Sequence, residues 1–393
     1  MPYTHLRPFA FLTCACLLAS ALLLESCDKN ELKNASVRKP VLPASAYDYD
    51  SDVQHAKAVV QPFSHDSIEI NNDLATLGRV LFYDPALSLN NRTSCASCHK
   101  QSRAFADPAQ FSEGFVNGET KRNSLGIQNL FSRSDASGFF WDGRAETLEK
   151  QVLMPIRDHV EMGMRSTDEL VVKLQAMDYY QPLFENAYGS DKVTESRIAE
   201  ALTHFVKAIP SYRSKYDQGR DTERSNLSVQ ERRGFELFFR ELPCGSCHLD
   251  GNFENYAHTS IGLDVEYADK GRGEWDLGLG TMAYGLFLTP TLRNIALTAP
   301  YMHDGRFQTL EEVIEFYNSG IQPHPNLDYR LRDLSGTFTD DLINPGTQGS
   351  GAPLRMNLTE NDKQALVAFL KTLTDQELLS DPKYSDPFVT IEE

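Results

Sequence analysis

The chain has 393 residues, 41% of them apolar, and a formal net charge of −17. That length allows two domains of ordinary size, and the apolar share suffices for a packed core. The acidic excess argues against a nucleic-acid partner, which would be held by clustered Lys and Arg; it suits a basic protein partner or plain solubility.

Residues 1–26 read as an export signal. Arg7 is the only formal cation in them, and Phe9 to Leu24 is an apolar run without a charged residue. The run is too short and too near the N-terminus to prefer a membrane span. Leu24-Glu25-Ser26-Cys27 resembles the lipobox of bacterial lipoproteins. On that reading Cys27 carries lipid and tethers the protein to a membrane on the periplasmic side; ordinary signal cleavage is the alternative. Residues 27–72 read as a flexible tether, rich in Ser, Ala, Asp, Lys and Pro and without sustained periodicity.

Order is expected to begin near Asp73, as N-cap of a helix carrying Leu74, Leu77, Val80 and Leu81 on one face. Tyr83-Asp84-Pro85 ends it. Cys95-Ala96-Ser97-Cys98-His99 follows. Two thiols at this spacing can add across the two vinyl groups of one haem, and the adjacent histidine then falls beneath the iron. Helices are predicted over 167–177 and 195–209. The polar stretch Ser214 to Asn226 marks a boundary, giving domains over 73–218 and 219–393.

Ser228 and Glu231 form a capping box before the next helix. Arg233-Gly234-Phe235-Glu236-Leu237-Phe238 in that helix echoes Leu77-Gly78-Arg79-Val80-Leu81-Phe82, and each leads into a haem run. The second run is Cys244-Gly245-Ser246-Cys247-His248, 149 residues after the first. A Gly-rich, irregular stretch covers 251–285. Helices are again predicted over 310–317 and 360–373. The class is mainly α: two c-type cytochrome-like domains with long loops, each wrapped around one covalently bound haem.

The seven cysteines are then accounted for. Cys14 and Cys16 leave with the signal, Cys27 takes lipid, and the remaining four bind two haems, with none left for a disulfide. A zinc ribbon would place its cysteine pairs about 15–20 residues apart. Here Cys98 and Cys244 lie 146 positions apart, and each pair runs directly into histidine.

Several stretches resemble the bacterial di-haem cytochrome c peroxidase family, including its MauG branch. They are Arg122-Asn123, Phe140-Trp141-Asp142-Gly143-Arg144-Ala145, Thr147-Leu148-Glu149, Val160-Glu161-Met162, Thr289-Pro290-Thr291-Leu292-Arg293-Asn294 and Ala296 to Arg306. The resemblance runs from about Leu77 to Leu373. It implies two haem domains, the N-terminal one meeting peroxide and the C-terminal one relaying electrons.

The resemblance also implies roles. His99 and His248 are the proximal ligands. Glu161, 20 residues after Trp141, matches the catalytic glutamate, whose pKa burial beside haem would raise. Gln151 matches the distal glutamine that orients peroxide, and Pro155 the proline shaping the same pocket. Members that need reductive activation carry a blocking histidine 16 residues after the proximal one; here that position is Phe115, which predicts a first haem with an open sixth position. The next histidine, His159, is a poor substitute. Trp141 matches the relay between the haems, while Trp275 matches nothing.

The second haem's other ligand falls at Tyr317, 14 residues after His303, where peroxidases use methionine and MauG uses tyrosine. Met302 is read as core and is the competing ligand. A calcium ion is implied at the side-chain oxygen of Asn123 and the carbonyls of Thr298 and Pro300.

These residues predict a peroxidase that turns hydrogen peroxide into two waters with electrons from a small cytochrome c or cupredoxin. The alternatives are a MauG-like oxidase acting on a partner protein and a non-enzymatic di-haem electron carrier. A homodimer is a family habit that no residue here specifies.

Overall fold

The computed structural model describes residues 38–61, 69–133, 135–255, 257–276, 278–333 and 351–390. The export signal and Cys27 lie outside the described residues. The chain forms two compact units. The smaller, whose described residues are 38–41 and 388–390, contains an antiparallel ladder of β1 (Arg38–Pro40) with β4 (Phe388–Thr390), in which Arg38 pairs with Thr390.

The larger unit, residues 42–387, is helical. It starts earlier than the sequence suggested. Tyr49, Val53, Ala56 and Val60 are spaced for one helical face, and all are buried on helix α1 (Tyr49–Val60). The tether expected over 27–72 is therefore corrected for this part. Asp, Ser, Gln and Lys on the outer face of α1 dilute its apolar signal. What fixes it is distant chain: the Tyr49 hydroxyl donates to the Lys383 carbonyl at 3.1 Å, and its ring meets Phe205 edge-on.

Helix α2 (Asn72–Tyr83) carries the predicted Leu74, Leu77, Val80 and Leu81. Its cap is Asn71 rather than Asp73: the Asn71 side chain accepts from the amides of Asp73 and Leu74 at 3.0 and 3.1 Å. Two helices follow that periodicity did not reveal, α3 (Leu148–Arg157) and α5 (Tyr180–Tyr188). They flank and alternate with the predicted α4 (Thr167–Gln175) and α6 (Glu195–Lys207). Helix α7 (Val229–Glu236) starts at the Ser228–Glu231 capping box and widens into a π turn over Leu237–Glu241, just before the second haem run. Helix α8 (Leu310–Glu315) ends two residues earlier than expected and also passes into a π turn, Phe316–Gly320. Helix α9 (Glu360–Lys371) closes the second core.

The weak sequence echo is a real packing repeat. Gly78 on α2 presses on α6, where an added Cβ would lie 1.9 Å from the Ala201 oxygen. Gly234 on α7 presses on α9 in the same way, 2.0 Å from the Ala365 oxygen. Phe205 and Phe369, one turn beyond those alanines, fill the two cores. Around Phe369 gather Tyr216, Leu237, Phe238, Phe253 and Leu373. The Gly-rich stretch holds only short elements among its described residues: the 3-10 turns Arg272–Glu274 and Gly280–Ala283, and strand β2 (His258–Thr259), which pairs over two residues with β3 (Phe287–Leu288).

Candidate active site: two Cys-x-x-Cys-His clusters and the turn between them

Each haem run folds as a single helical turn. At the first, the Ser94 and Ser97 side chains close a capping box around Cys95–Cys98, and the His99 amide donates to the Cys95 carbonyl at 2.9 Å. The turn puts both thiols and the histidine on one side. The His99 Nδ1 lies 2.9 Å from the Phe105 carbonyl oxygen. A carbonyl only accepts, so Nδ1 carries the hydrogen and Nε2 keeps the lone pair that a metal needs. Burial holds the His99 pKa below its ordinary value, which preserves the neutral ring. The same burial pushes the Cys95 thiol up to about 12 and Cys98 to about 11.

The second run repeats this geometry. The His248 amide donates to the Cys244 carbonyl at 2.9 Å, and its Nδ1 lies 2.9 Å from the Phe253 carbonyl oxygen. Burial lowers the His248 pKa to about 4 and raises that of Cys244 to about 12. The four cysteines are unpaired. Half-buried neutral thiols beside a neutral imidazole suit thioether attachment and iron ligation. Among the described residues, no group of three or more His, Cys, Asp or Glu is placed to hold a metal ion.

Cys244, Cys247 and His248 open into a cavity whose lining is mostly apolar, including Phe238, Leu292 and Leu370. A haem face requires such a lining. Tyr317 and Met302 both line it. Tyr317 is held in its phenol form well above the ordinary range, first by burial and then by the nearby Cys247 and Cys244. Met302 packs with Tyr317 against the small core of Leu263, Phe316 and Ile321, at a backbone φ of +74°.

Glu161 sits on a turn tied together by Asp158. The Asp158 side chain accepts from the Val160 amide at 2.7 Å, and its carbonyl accepts from Gly163 at 2.8 Å. Burial, reinforced by the Asp158 charge and opposed by Arg144, raises the Glu161 pKa to about 7. Its charge is felt at both Cys95 and Cys98. Phe115 packs on the same turn. Its amide donates to the Val160 carbonyl at 2.6 Å, and its ring occupies the space beside Gly163, 2.7 Å from where a Cβ would be. His159 is exposed. Gln151 and Pro155 lie one turn apart on α3, both half-buried.

Trp141 connects to the second cavity, which it lines, and donates from Nε1 to the Asn123 carbonyl at 2.8 Å. Asn123 is buried; its amide nitrogen side-chain group donates to the carbonyls of Ala109 and Gln110 at 3.2 Å each, which leaves Oδ1 as the outward acceptor. Thr298 and Pro300 line the same cavity as Asn123.

Several contributors escaped the sequence reading. Arg122 bridges Asp142 at 2.6 Å and Asp269 at 2.6 Å, fixing the turn that carries Trp141. The unassigned Trp275 donates to the Asp142 carbonyl at 3.0 Å. Ser211 is shared by two asparagines in left-handed backbone conformation, Asn129 (φ +60°) and Asn294 (φ +61°). That second repeat has a matching spacing, since each asparagine falls four residues after a residue, Leu125 or Pro290, whose backbone raises the pKa of a haem-run histidine.

Comparison with known proteins agrees with this geometry. The family model for di-haem cytochrome c peroxidases matches residues 72–225. The chain is 34% identical over 298 residues to the methylamine utilization protein MauG of Methylorubrum extorquens, covering 76% of this chain and 77% of that one. It is also 34% identical over 266 residues to the cytochrome c551 peroxidase of Nitrosomonas europaea, covering 67% and 78%. The crystal structure of a MauG-like protein associated with microbial copper homeostasis superimposes with a TM-score of 0.69 at 30% identity, over 90% of this chain and 97% of that one. The di-haem peroxidase BthA of Burkholderia thailandensis gives 0.65 at 25% identity, over 81% and 91%.

Proposed function

The chain belongs to the di-haem cytochrome c peroxidase family, and on that premise we propose that it reduces hydrogen peroxide to water with electrons from a small redox protein. Membership makes it an oxidoreductase with two haem c groups. Cys95, Cys98 and His99 would hold the first group, and Cys244, Cys247 and His248 the second. When bound, these groups supply redox-active iron for O–O cleavage and electron storage.

The chain's own residues manage protons and position. Glu161, half-buried and poised near neutrality, takes the proton from the near oxygen of peroxide and returns it to the far one, so that water leaves. Gln151 offers a neutral amide to orient the peroxide, and Pro155 shapes the wall one turn away. Phe115, which cannot ligate, stands where activation-dependent members have a blocking histidine. Trp141 carries electrons between the two clusters, its N–H anchored on Asn123.

The observation that carries this reading is the placement of Glu161 on the Asp158 turn, with Phe115 packed against that turn and Cys95 and Cys98 within reach of its charge. The test is steady-state peroxide consumption by the holoprotein with a reduced small cytochrome c or cupredoxin, expected to oxidise two donor molecules per peroxide. Absence of turnover with either donor would refute it.

Tyr317 favours a second reading. Tyr317 would offer the second group a phenolate oxygen on loss of its proton, a donor that favours higher oxidation states than a thioether does, as a MauG-like oxidase acting on a partner protein requires. Appearance of an oxidised partner residue in place of donor turnover would select it. We further propose a calcium ion on Asn123, Thr298 and Pro300, a lipid anchor at Cys27 on the periplasmic side, and haem domains over 73–218 and 219–393. A homodimer is consistent with the family.

A further inference from the structure

Tyr180, Phe184 and Tyr188 recur every fourth residue on α5 and so share one face. Their rings form a file. Tyr180 and Phe184 meet edge-on with centroids 6.1 Å apart, and Phe184 stacks on Tyr188 at 6.1 Å and 22°. The inner end, Tyr180, is fully buried and lies near the Cys95 thiol. The outer end, Tyr188, is half-buried under the Arg197 guanidinium, 4.5 Å from the ring centroid.

An aromatic stripe at this spacing is ordinarily core packing. Here each terminal phenol also has a carboxylate to take its proton. The Tyr180 hydroxyl donates to Asp84 Oδ2 at 2.7 Å, and the Tyr188 hydroxyl reaches Glu200 Oε2 at 3.1 Å and the Arg197 carbonyl at 2.9 Å. Tyr179, with its ring 4.7 Å from that of Tyr180, donates to the same Asp84 oxygen at 2.6 Å. Peroxide reduction as described above uses none of these groups.

We propose that the Tyr180–Phe184–Tyr188 file is an escape relay, draining oxidising equivalents from the first haem site to the surface when no reduced donor protein is bound. It rests on the peroxidase reading, in which hydrogen peroxide is the oxidant. Tyr180 loses one electron toward the first haem site and its phenolic proton to Asp84, becoming a neutral phenoxyl radical. Tyr188 then passes one electron through the Phe184 ring, which bridges without being oxidised. Tyr180 recovers its proton from Asp84, and the Tyr188 proton moves to Glu200. A small reductant in solution, such as ascorbate, gives Tyr188 one electron, and Glu200 returns the proton. Two passes oxidise two equivalents of reductant and, with two protons from solvent, convert one peroxide to two waters.

The test uses the holoprotein with Tyr180→Phe, Tyr188→Phe and Asp84→Asn. Asparagine keeps the Oδ1 atom that caps the Ala86 amide at 2.8 Å. Peroxide without donor should give a phenoxyl EPR signal in the wild type and its loss in Tyr180→Phe and Asp84→Asn. Peptide mapping should show added oxygen moving from the Tyr188 peptide to residues near Cys95. Turnover with a protein donor should be unchanged in Tyr180→Phe. Flash photo-oxidation by a soluble ruthenium complex reads the same relay without peroxide, and its phenoxyl yield should fall in Tyr188→Phe. A wild type that ignores peroxide yet passes the photo-oxidation arm overturns the peroxidase reading and keeps the relay. A wild type that consumes peroxide with no phenoxyl signal in either arm, or variants with an unchanged signal, overturn the relay alone.

Discussion

Gly78 and Gly234 hold equivalent places: each lets its helix lie directly on the carbonyl of an alanine in the partner helix, Ala201 and Ala365 respectively. A methyl group at either glycine would fall about 2 Å from backbone oxygen, which has no rotamer to change. Gly78→Ala and Gly234→Ala should each destabilise the holoprotein by about 1–3 kcal/mol, the usual cost of overpacking. Denaturant midpoints check this. Because each helix feeds a haem run, the visible spectrum of the cluster on the altered side should broaden first.

A buried ion pair ties the polar segment after residue 213 to the Thr289–Asn294 motif. Arg293 and Asp217 make two bonds of 2.8 and 2.9 Å, and Arg293 also donates to the Gly251 carbonyl at 3.0 Å. The guanidinium and the Ser214 bonds outweigh burial and hold the Asp217 pKa below its ordinary 3.8. Its contribution is therefore full above that value and is lost as pH falls through the lower folded one. Asp217→Ala should cost about 3–5 kcal/mol at neutral pH, since it strands a buried cation. Thermal melts at pH 7 and pH 3 should show the difference between variant and wild type shrinking in acid.

The Glu161 carboxyl titrates in the opposite sense. Its folded pKa of about 7 exceeds the ordinary 4.5. The stability linked to it is full below about pH 4.5 and falls as pH rises through 7, because the charged form is poorly solvated. As a proton acceptor it works only when ionised. The kcat/KM for peroxide should thus rise with pH to a plateau above about 7. A flat profile across that range would show that another group sets the protonation.

Tyr317 and Met302 line one cavity, and they are the competing candidates for the second group's other ligand. Tyr317→Phe should change the low-spin EPR signal of the oxidised holoprotein, and Met302→Leu should leave it as it was. The reverse pattern would make Met302 the ligand.

Much of the site was legible because thioether chemistry demands a fixed spacing: Cys95, Cys98 and His99 could be read as a unit, and so could Cys244, Cys247 and His248. Helices α2, α6 and α9 were legible from their apolar stripes. Helix α1 was not, since its stripe is short and its partners, Phe205 and Lys383, lie far along the chain. The acceptors that fix the two histidine tautomers are backbone atoms of Phe105 and Phe253, which leave no mark on residue type. The environment of Glu161 was likewise hidden. A lone glutamate reads as a surface charge until the Asp158 turn and Phe115 are seen around it.

If the first cluster does the chemistry through Glu161, that carboxyl must move the peroxide proton. The decisive comparison is kcat/KM for hydrogen peroxide of Glu161→Gln against wild type, with both haems shown to be attached by their absorbance. Glutamine keeps the shape and removes the titrating proton. A fall of about 10²–10⁴-fold is predicted, the range for losing a general acid–base group. Full turnover in Glu161→Gln would contradict it.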